Sequence, residues 1–243
     1  MTKRIQLQPA YVLHRRVYRE SSLLLELFSQ DHGRFSAVAK GVRKKNGTAG
    51  LLQAFTPLLI SCSGKGELQL LTHAEPNGEI KKLSADSLYA GFYLNELLMC
   101  LTEKWDAHAG LFQAYANSID DLASSLQQQT LRRFEKYLLE EIGYGLMPSN
   151  PRATFVAENY YRFIPEQGFQ LSTMGDDVNT KTNIFLGKNL LAIASEDWEN
   201  IDALQDAKRL TRLALSPLLG ARPIYSRSLF LQPDLGKRGV DEE

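Results

Sequence analysis

Histidine and cysteine are the side chains best suited to hold a metal or attack a substrate, and their spacing here supports neither. His14, His32, His73 and His108 lie far apart with no H-x-x-x-H pair, and Cys62 and Cys100 form no C-x-x-C. A structural zinc needs about four such ligands brought together. Gly64-Lys65-Gly66 has the glycine and lysine of a phosphate loop but not its spacing or its Lys-Ser/Thr pair, so it predicts a hairpin turn. The G-x-S-x-G elbow of serine hydrolases does not occur. The carboxylate pairs Asp120/Asp121 and Glu140/Glu141 fall on predicted helices, where sequence neighbours point in different directions, and they read as solvated faces. No catalytic residue, metal or cofactor is expected.

What remains is basic residues interleaved with aromatics near the N-terminus. Arg15, Arg16, Arg34, Lys40, Arg43, Lys44, Lys45 and Lys65 are suited to neutralising phosphates without reading base sequence. Tyr11, Tyr18, Phe28 and Phe35 could stack on bases. Phe28 and Phe35 read better as core. Tyr18, beside Arg19 and Glu20, is the base-stacking candidate expected to be exposed.

The 243 residues carry no net charge, but the charge is unevenly placed. Residues 1–83 hold 13 Lys/Arg against 6 Asp/Glu, residues 84–200 hold 8 against 16, and residues 201–243 hold 7 against 6. Such asymmetry points to one half built for a polyanion. Two cysteines cannot form a disulfide framework, which suits a reducing cytoplasm. The opening MTKRIQLQPAYVLHRR has no apolar core of signal-peptide type, and no apolar run approaches a membrane span.

These basic residues must be positioned by short strands. AYVLHRRVY, SSLLLELFS, GRFSAVAKG, LLQAFTPLLISCS and GELQLLTHAE are bounded by turn-forming residues. In GRFSAVAK a period of two puts Phe35, Ala37 and Ala39 on one face and Arg34, Ser36 and Lys40 on the other. Five such strands make a small barrel of OB-fold or SH3-like type, which periodicity does not separate. From Leu83 the period turns helical. A first helix is expected over 85–104, capped by Ser84. A second follows Leu111, Tyr115, Ile119, Leu122 and Leu126. A third follows Leu131, Phe134, Leu138 and Ile142 and stops at Gly143. Residues 148–177 read as a hairpin-like insertion, followed by helices near 187–195 and 201–216.

The run VLHRRVYRESSLLLELFSQDHGRFSAVAKGVRKK, continued by LLQAFTPLLISCSGKGELQLLTHAE, resembles the opening of the RecO family of bacterial recombination mediators. LYAGFYLNELLMCL and LRRFEKYLLEEIGYG resemble its first and third helices, and SPLLGARPIYSRSLF its closing signature. The resemblance implies an α+β protein, with an N-terminal five-stranded OB-fold β-barrel (1–81) followed by a mainly α-helical domain (82–243). Residues 1–81 are then expected to bind DNA alone. The resemblance also implies binding of single- and double-stranded DNA and strand annealing. It extends to cooperation with RecR and the single-stranded-DNA-binding protein SSB, to RecF and RecA, and to a place at the nucleoid in the cytoplasm, away from membranes. Many relatives carry a four-cysteine zinc module after the third helix, but residues 146–177 here contain no cysteine. A β-hairpin is expected in its place, packed through Tyr160, Tyr161, Phe163 and Phe169.

The family's SSB partner presents an acidic tail ending in apolar residues, which calls for an apolar groove rimmed by Lys and Arg. Arg132, Arg133 and Lys136 form one basic cluster in the acidic half, and Lys208, Arg209 and Arg212 another. Either could hold the tail or be a solvated face. The competing reading is a structural OB-fold protein binding RNA in a ribonucleoprotein. A hydrolase with an unrecognised site is the other.

Overall fold

A computed structural model describes residues 3–44, 47–125, 128–172 and 182–229. Lys45, Leu126 and residues 173–177 of the expected hairpin insertion lie outside the described residues.

Five strands, β1 (Lys3–Tyr18), β2 (Ser22–Ser29), β3 (Gly33–Ala39), β4 (Leu58–Gly64) and β5 (Leu68–Pro76), close into a barrel in the order β1-β2-β3-β5-β4. All pairings are antiparallel except β3 with β5, which run parallel with Ser36 opposite Leu68 and Ala39 opposite Leu71. That closure is the OB topology. The long β1 serves both neighbours, pairing β4 through its first half and β2 through its second. It starts well before the expected Ala10 because register shifts at Ile5/Gln8 and Val12/His14 break its alternation. The expected strand from Leu51 begins only at Leu58; a short 3-10 turn (Thr48–Gly50) and one bridge, Val12 to Ala54, precede it.

Alternation decides the barrel core. Leu23, Leu25 and Leu27 of β2 and Phe35, Ala37 and Ala39 of β3 point inward with Val12, Leu58 and Ile60. Phe28, one step out of phase, is equally buried but on the outside, against Phe112 and Tyr115. Tyr11 joins those two rings at 5.6 and 5.1 Å. Both are core, as is Phe35, so none of the three is free to stack on a base.

The rings that cover Phe28 come from α2 (Ala109–Ser124), which packs beside α1 (Ala85–Leu101). Asn95 of α1 is 2% exposed; its Nδ2 donates to Leu13 O at 2.8 Å and its Oδ1 accepts from Tyr115 Oη at 2.6 Å. One amide thereby ties barrel, α1 and α2. Removing it takes a buried hydrogen bond from both Leu13 O and Tyr115 Oη, so Asn95→Ala is expected to lower stability by about 2 kcal/mol, read as a shift in the urea midpoint. Helix α1 ends at Leu101, three residues before the expected end, because Thr102 turns extended while its hydroxyl caps Leu98 O at 2.7 Å.

The described residues up to 125, with 223–229, form one compact unit, and 128–222 form a second. Strand gives way to helix near residue 82 as expected, but α1 and α2 pack with the barrel. A fragment ending at residue 81 would expose Tyr11, Leu13 and Phe28 to water, which argues against the expected autonomy of 1–81. The short α7 (Ser226–Leu229) also joins this unit: Ser226 N and Oγ donate to Glu96 Oε2 at 3.0 and 2.6 Å.

The second unit contains α3 (Gln128–Glu141), α4 (Pro151–Thr154), a sheet ordered β7-β6-β8, α5 (Gly187–Ala194) and α6 (Ile201–Leu219). The strands are β6 (Tyr160–Ile164), β7 (Gly168–Leu171) and β8 (Ile184–Leu186). After α3, Tyr144 N bonds Leu139 O and Gly143 N bonds Glu140 O with Gly143 at φ +84, a Schellman stop. The β6–β7 hairpin is held by Tyr161, Phe163 and Phe169, with Phe155 and Phe185 against them. Tyr160 is 54% exposed and does not serve; alternation turns it away from its buried neighbour Tyr161.

Candidate nucleic-acid interface

The structure divides the expected phosphate contacts into three groups. The first gathers at one end of the barrel. The β1–β2 turn and the connection after β3 meet there, as Arg43 N donates to Ser21 O at 3.1 Å and its Nη1 to Glu20 O at 3.2 Å. Ala49 N bonds Val42 O and Gly47 N bonds Lys44 O, folding that connection into a tight turn. A Cβ on Gly47 would lie 1.9 Å from Val42 O, so only glycine fits. Arg16, Arg19, Lys40, Arg43 and Lys44 are exposed around this end. Arg19 was not among the residues expected from sequence. It stands at φ +54 with its guanidinium 5.2 Å from the centre of the Tyr18 ring, so the base-stacking candidate is half-buried beneath its neighbour. The signal for Arg19 was its place in a two-stranded turn. Arg15 is exposed, but its Nη1 donates to Ala49 O at 2.8 Å and Leu52 O at 3.1 Å, bracing the connection against β1.

The second group is Arg34 alone. Its Nη2 donates to Thr102 O at 2.8 Å and its Nη1 meets Glu26 Oε2 at 3.4 Å, with only 13% of the side chain exposed. The outer face of β2 and β3 is the usual ligand face of an OB-fold. Here the chain's own segment 102–108 covers part of it. Trp105 N donates to Arg34 O at 2.8 Å and Lys104 Nζ reaches Ser36 Oγ at 2.6 Å, while the Trp105 ring packs against the barrel core and stacks on the inward-facing Phe35 at 4.7 Å. Arg34 is thus an internal brace, a correction to its expected role. Alternation rightly placed it outside the barrel without showing what lies over it.

The third is Lys65, exposed in the β4–β5 turn as the Gly-Lys-Gly reading expects. Because β5 starts opposite Ser36 and runs parallel to β3, this turn lies toward the Gly33 end, away from Lys40. Lys65 does not join the cationic cluster.

Two basic clusters were expected in the second unit, and most of their charges are committed. Arg132 is 7% exposed; its Nη1 meets Glu135 Oε2 at 2.9 Å and donates to Thr211 Oγ1 at 3.1 Å, so its charge is committed within the fold. Arg133 and Lys136 bracket Glu196 at 3.1 and 3.0 Å. Partial burial raises the Glu196 pKa, but the hydrogen bonds and charges of Lys136 and Arg133 outweigh it and hold the carboxyl below its usual 4.5. A depressed folded pKa means this contribution to stability is present above that value and fades as pH falls through the lower one. Glu196→Gln is therefore expected to lose little stability at acid pH and more at neutral pH, compared by thermal melts. Arg209 bonds Ile184 O, pairs with Asp206 at 3.0 Å and covers the Phe185 ring at 4.4 Å. Lys208 and Arg212, one turn apart on α6, remain exposed and hold no ion pair among the described residues.

Among the described residues, no three His, Cys, Asp or Glu side chains come together as a metal site. Burial pushes the Cys62 thiol up to about 12 and, aided by Asp120, the Tyr11 phenol up to about 12, which suits core groups rather than nucleophiles. No helix among the described residues is long and apolar enough to cross a membrane.

A closed five-stranded barrel with parallel β3–β5 closure, carrying exposed cations at one end, defines an OB-fold protein. The family model described as Recombination protein O N terminal matches residues 1–78, and the one described as Recombination protein O C terminal matches residues 83–228. A protein of Coxiella burnetii (strain RSA 331 / Henzerling II) is 41% identical over 233 residues, covering 94% of this chain and 99% of its own. One of Pasteurella multocida is 42% identical over 231 residues (93% and 94%), and one of Aliivibrio fischeri strain MJ11 is 41% identical over 230 residues (93% and 95%). Each of these relatives is named DNA repair protein RecO. The chain belongs to the RecO family of DNA repair proteins.

Proposed function

We propose that this protein is a non-enzymatic recombination mediator acting at the nucleoid in the cytoplasm. It binds single- and double-stranded DNA through the cationic barrel end, anneals complementary strands and, with RecR, helps load RecA onto SSB-coated single strands. RecF is a further partner in this reading. The observation that carries the DNA-binding step is the clustering of Arg16, at the end of β1, with Arg19, Lys40, Arg43 and Lys44, on two loops that hydrogen-bond to each other. Phosphates meet cations there with no base-reading geometry required, so binding is indifferent to sequence.

If these five cations each neutralise a phosphate, log K against log salt for the full chain on single-stranded DNA should slope near roughly −3.5. The triple variant Arg16→Glu, Arg43→Glu, Lys44→Glu should weaken binding at least about tenfold at 0.1 M salt and flatten the slope toward roughly −1.4. An unchanged slope sinks the barrel-end reading. Preference for RNA over DNA of equal length contradicts the mediator role.

For the SSB tail, Lys208 and Arg212 are the two exposed cations of the expected clusters that hold no ion pair among the described residues, with Arg133 and Lys136 already shared by Glu196. Lys208→Glu with Arg212→Glu is expected to abolish annealing of SSB-coated strands while bare strands still anneal. If both fall together, the pair contacts DNA; if neither falls, the tail docks elsewhere.

A further inference from the structure

A groove of about 600 Å³ runs between β1, α1 and the returning segment at 223–226, wholly inside the first unit. Its volume is in the ~300–1,000 Å³ range of small-molecule sites. Phe55 and Phe92 line it with their ring centres 5.2 Å apart, and Tyr225, 71% exposed, stands on its third side. Room for the Phe55 ring depends on Gly91, where an added Cβ would lie 2.8 Å from Phe55 Cε1. Phe55 itself adopts φ +66, a conformation unfavourable for a bulky residue. Strain of this kind persists only where the surroundings enforce it, and it concentrates at binding sites.

The polar groups of the groove discriminate among occupants. His14 and Arg15 line it, and Arg16 of the cationic end lies two residues on from His14, on the same face of β1. The groove is thus continuous with the surface proposed above to hold phosphates. Inside stands Glu96; Ser226 occupies its Oε2, leaving Oε1 as an acceptor. A peptide rich in carboxylates would bring like charge against Glu96. A nucleobase brings a flat apolar face for the aromatic rings and, in adenine, cytosine and guanine, an exocyclic amine for a carboxylate.

We infer that this groove receives unstacked bases of a single strand whose phosphates lie on the cationic barrel end. The inference rests on the proposed DNA-binding surface and adds a preference that phosphate contacts alone do not provide. Bases of a duplex are stacked and paired, so a duplex binds the cations but leaves the groove empty.

The test uses the full chain, a mixed-sequence single-stranded 25-mer and the corresponding duplex. Tyr225→Ala should weaken single-strand binding roughly 5- to 100-fold, the value of one lost stacking contact, and leave duplex binding unchanged. Tyr225→Trp should restore it. Tyr225 is largely exposed, so neither change threatens folding, and equal melting temperatures verify that. A single strand carrying 5-bromodeoxyuridine should photo-crosslink to the peptide containing Tyr225. Equal loss on both DNA forms, or no loss on either, overturns the inference. It is also overturned if Tyr225→Ala alters self-association or capture of an acidic peptide while single-strand affinity stays intact. Arg16→Glu with Arg43→Glu should weaken both forms. If that variant binds normally, the barrel-end reading fails; if it binds poorly while Tyr225→Ala binds normally, the groove alone is wrong.

Discussion

Gly33→Ala is expected to destabilise the first unit by about 3 kcal/mol or more, among the largest effects of any single methyl group in this chain. Gly33 sits at φ +62, where a side chain is strained on its own account. The added Cβ would lie 1.7 Å from Asp106 O and 2.5 Å from Asp106 C. Those are backbone atoms and cannot rotate away, so segment 102–108 must lift. Lifting it removes the Trp105 N to Arg34 O bond, the Phe35–Trp105 stack and the Thr102 acceptor of Arg34. Gly50→Ala is the control, with open space within 4 Å, and should stay within about 0.5 kcal/mol. Urea midpoints compare the two. A Gly33→Ala midpoint matching wild type would show that the segment does not lie on β3 as described.

Arg132→Glu is expected to unfold the second unit rather than to abolish partner docking. The Arg132 and Glu135 side chains are 8% and 1% exposed, and each is the other's counter-ion. Removing one partner of a buried pair costs about 3–5 kcal/mol, and a second carboxylate beside the first costs more. Loss of function in this variant would therefore say nothing about docking. The informative comparison is Arg132→Met with Glu135→Leu, which should be near neutral or stabilising because no buried charge is stranded. Lys208→Glu should leave stability within about 0.5 kcal/mol. Calorimetry of the four proteins decides. If Arg132→Glu melts like wild type, the pair is not buried in solution.

These two sites mark the limit of what the sequence reveals. A period of two was enough to turn Phe35, Ala37 and Ala39 inward, and helical spacing located α2, α3, α5 and α6. Both signals are local. Whether five strands close as an OB or an SH3-like barrel depends on β3 meeting β5, a pairing between segments some thirty residues apart. Likewise, alternation says that Arg34 points out of the barrel, but not that Thr102 waits there to accept its hydrogen bond. Arg132 carried a usable signal. It lies three residues before Glu135, in a helix whose buried face includes Leu131, Phe134 and Leu138. An ion pair embedded in an apolar stripe reads more naturally as core than as a docking cluster. Arg16, Lys40, Arg43 and Lys44 of the barrel end were legible, the last three because turn residues and charge coincide in KGVRKK, and the same coincidence in VYRESS was the signal for Arg19 that went unused.

The hydrogen bonds from Ser226 to Glu96 join residues 130 positions apart, and the whole second unit is made between them. On a ribosome adding roughly 5–20 residues per second, the barrel with α1 and α2 waits several seconds or more for its last piece. During that interval Glu96 has no donor from Ser226, and the side of α1 that α7 will pack against stays open to solvent. The nascent protein is thus an unfinished first unit carrying an inserted domain. A ribosome stalled before codon 223 should hold a chain whose first unit is more readily cleaved by protease than in the released protein.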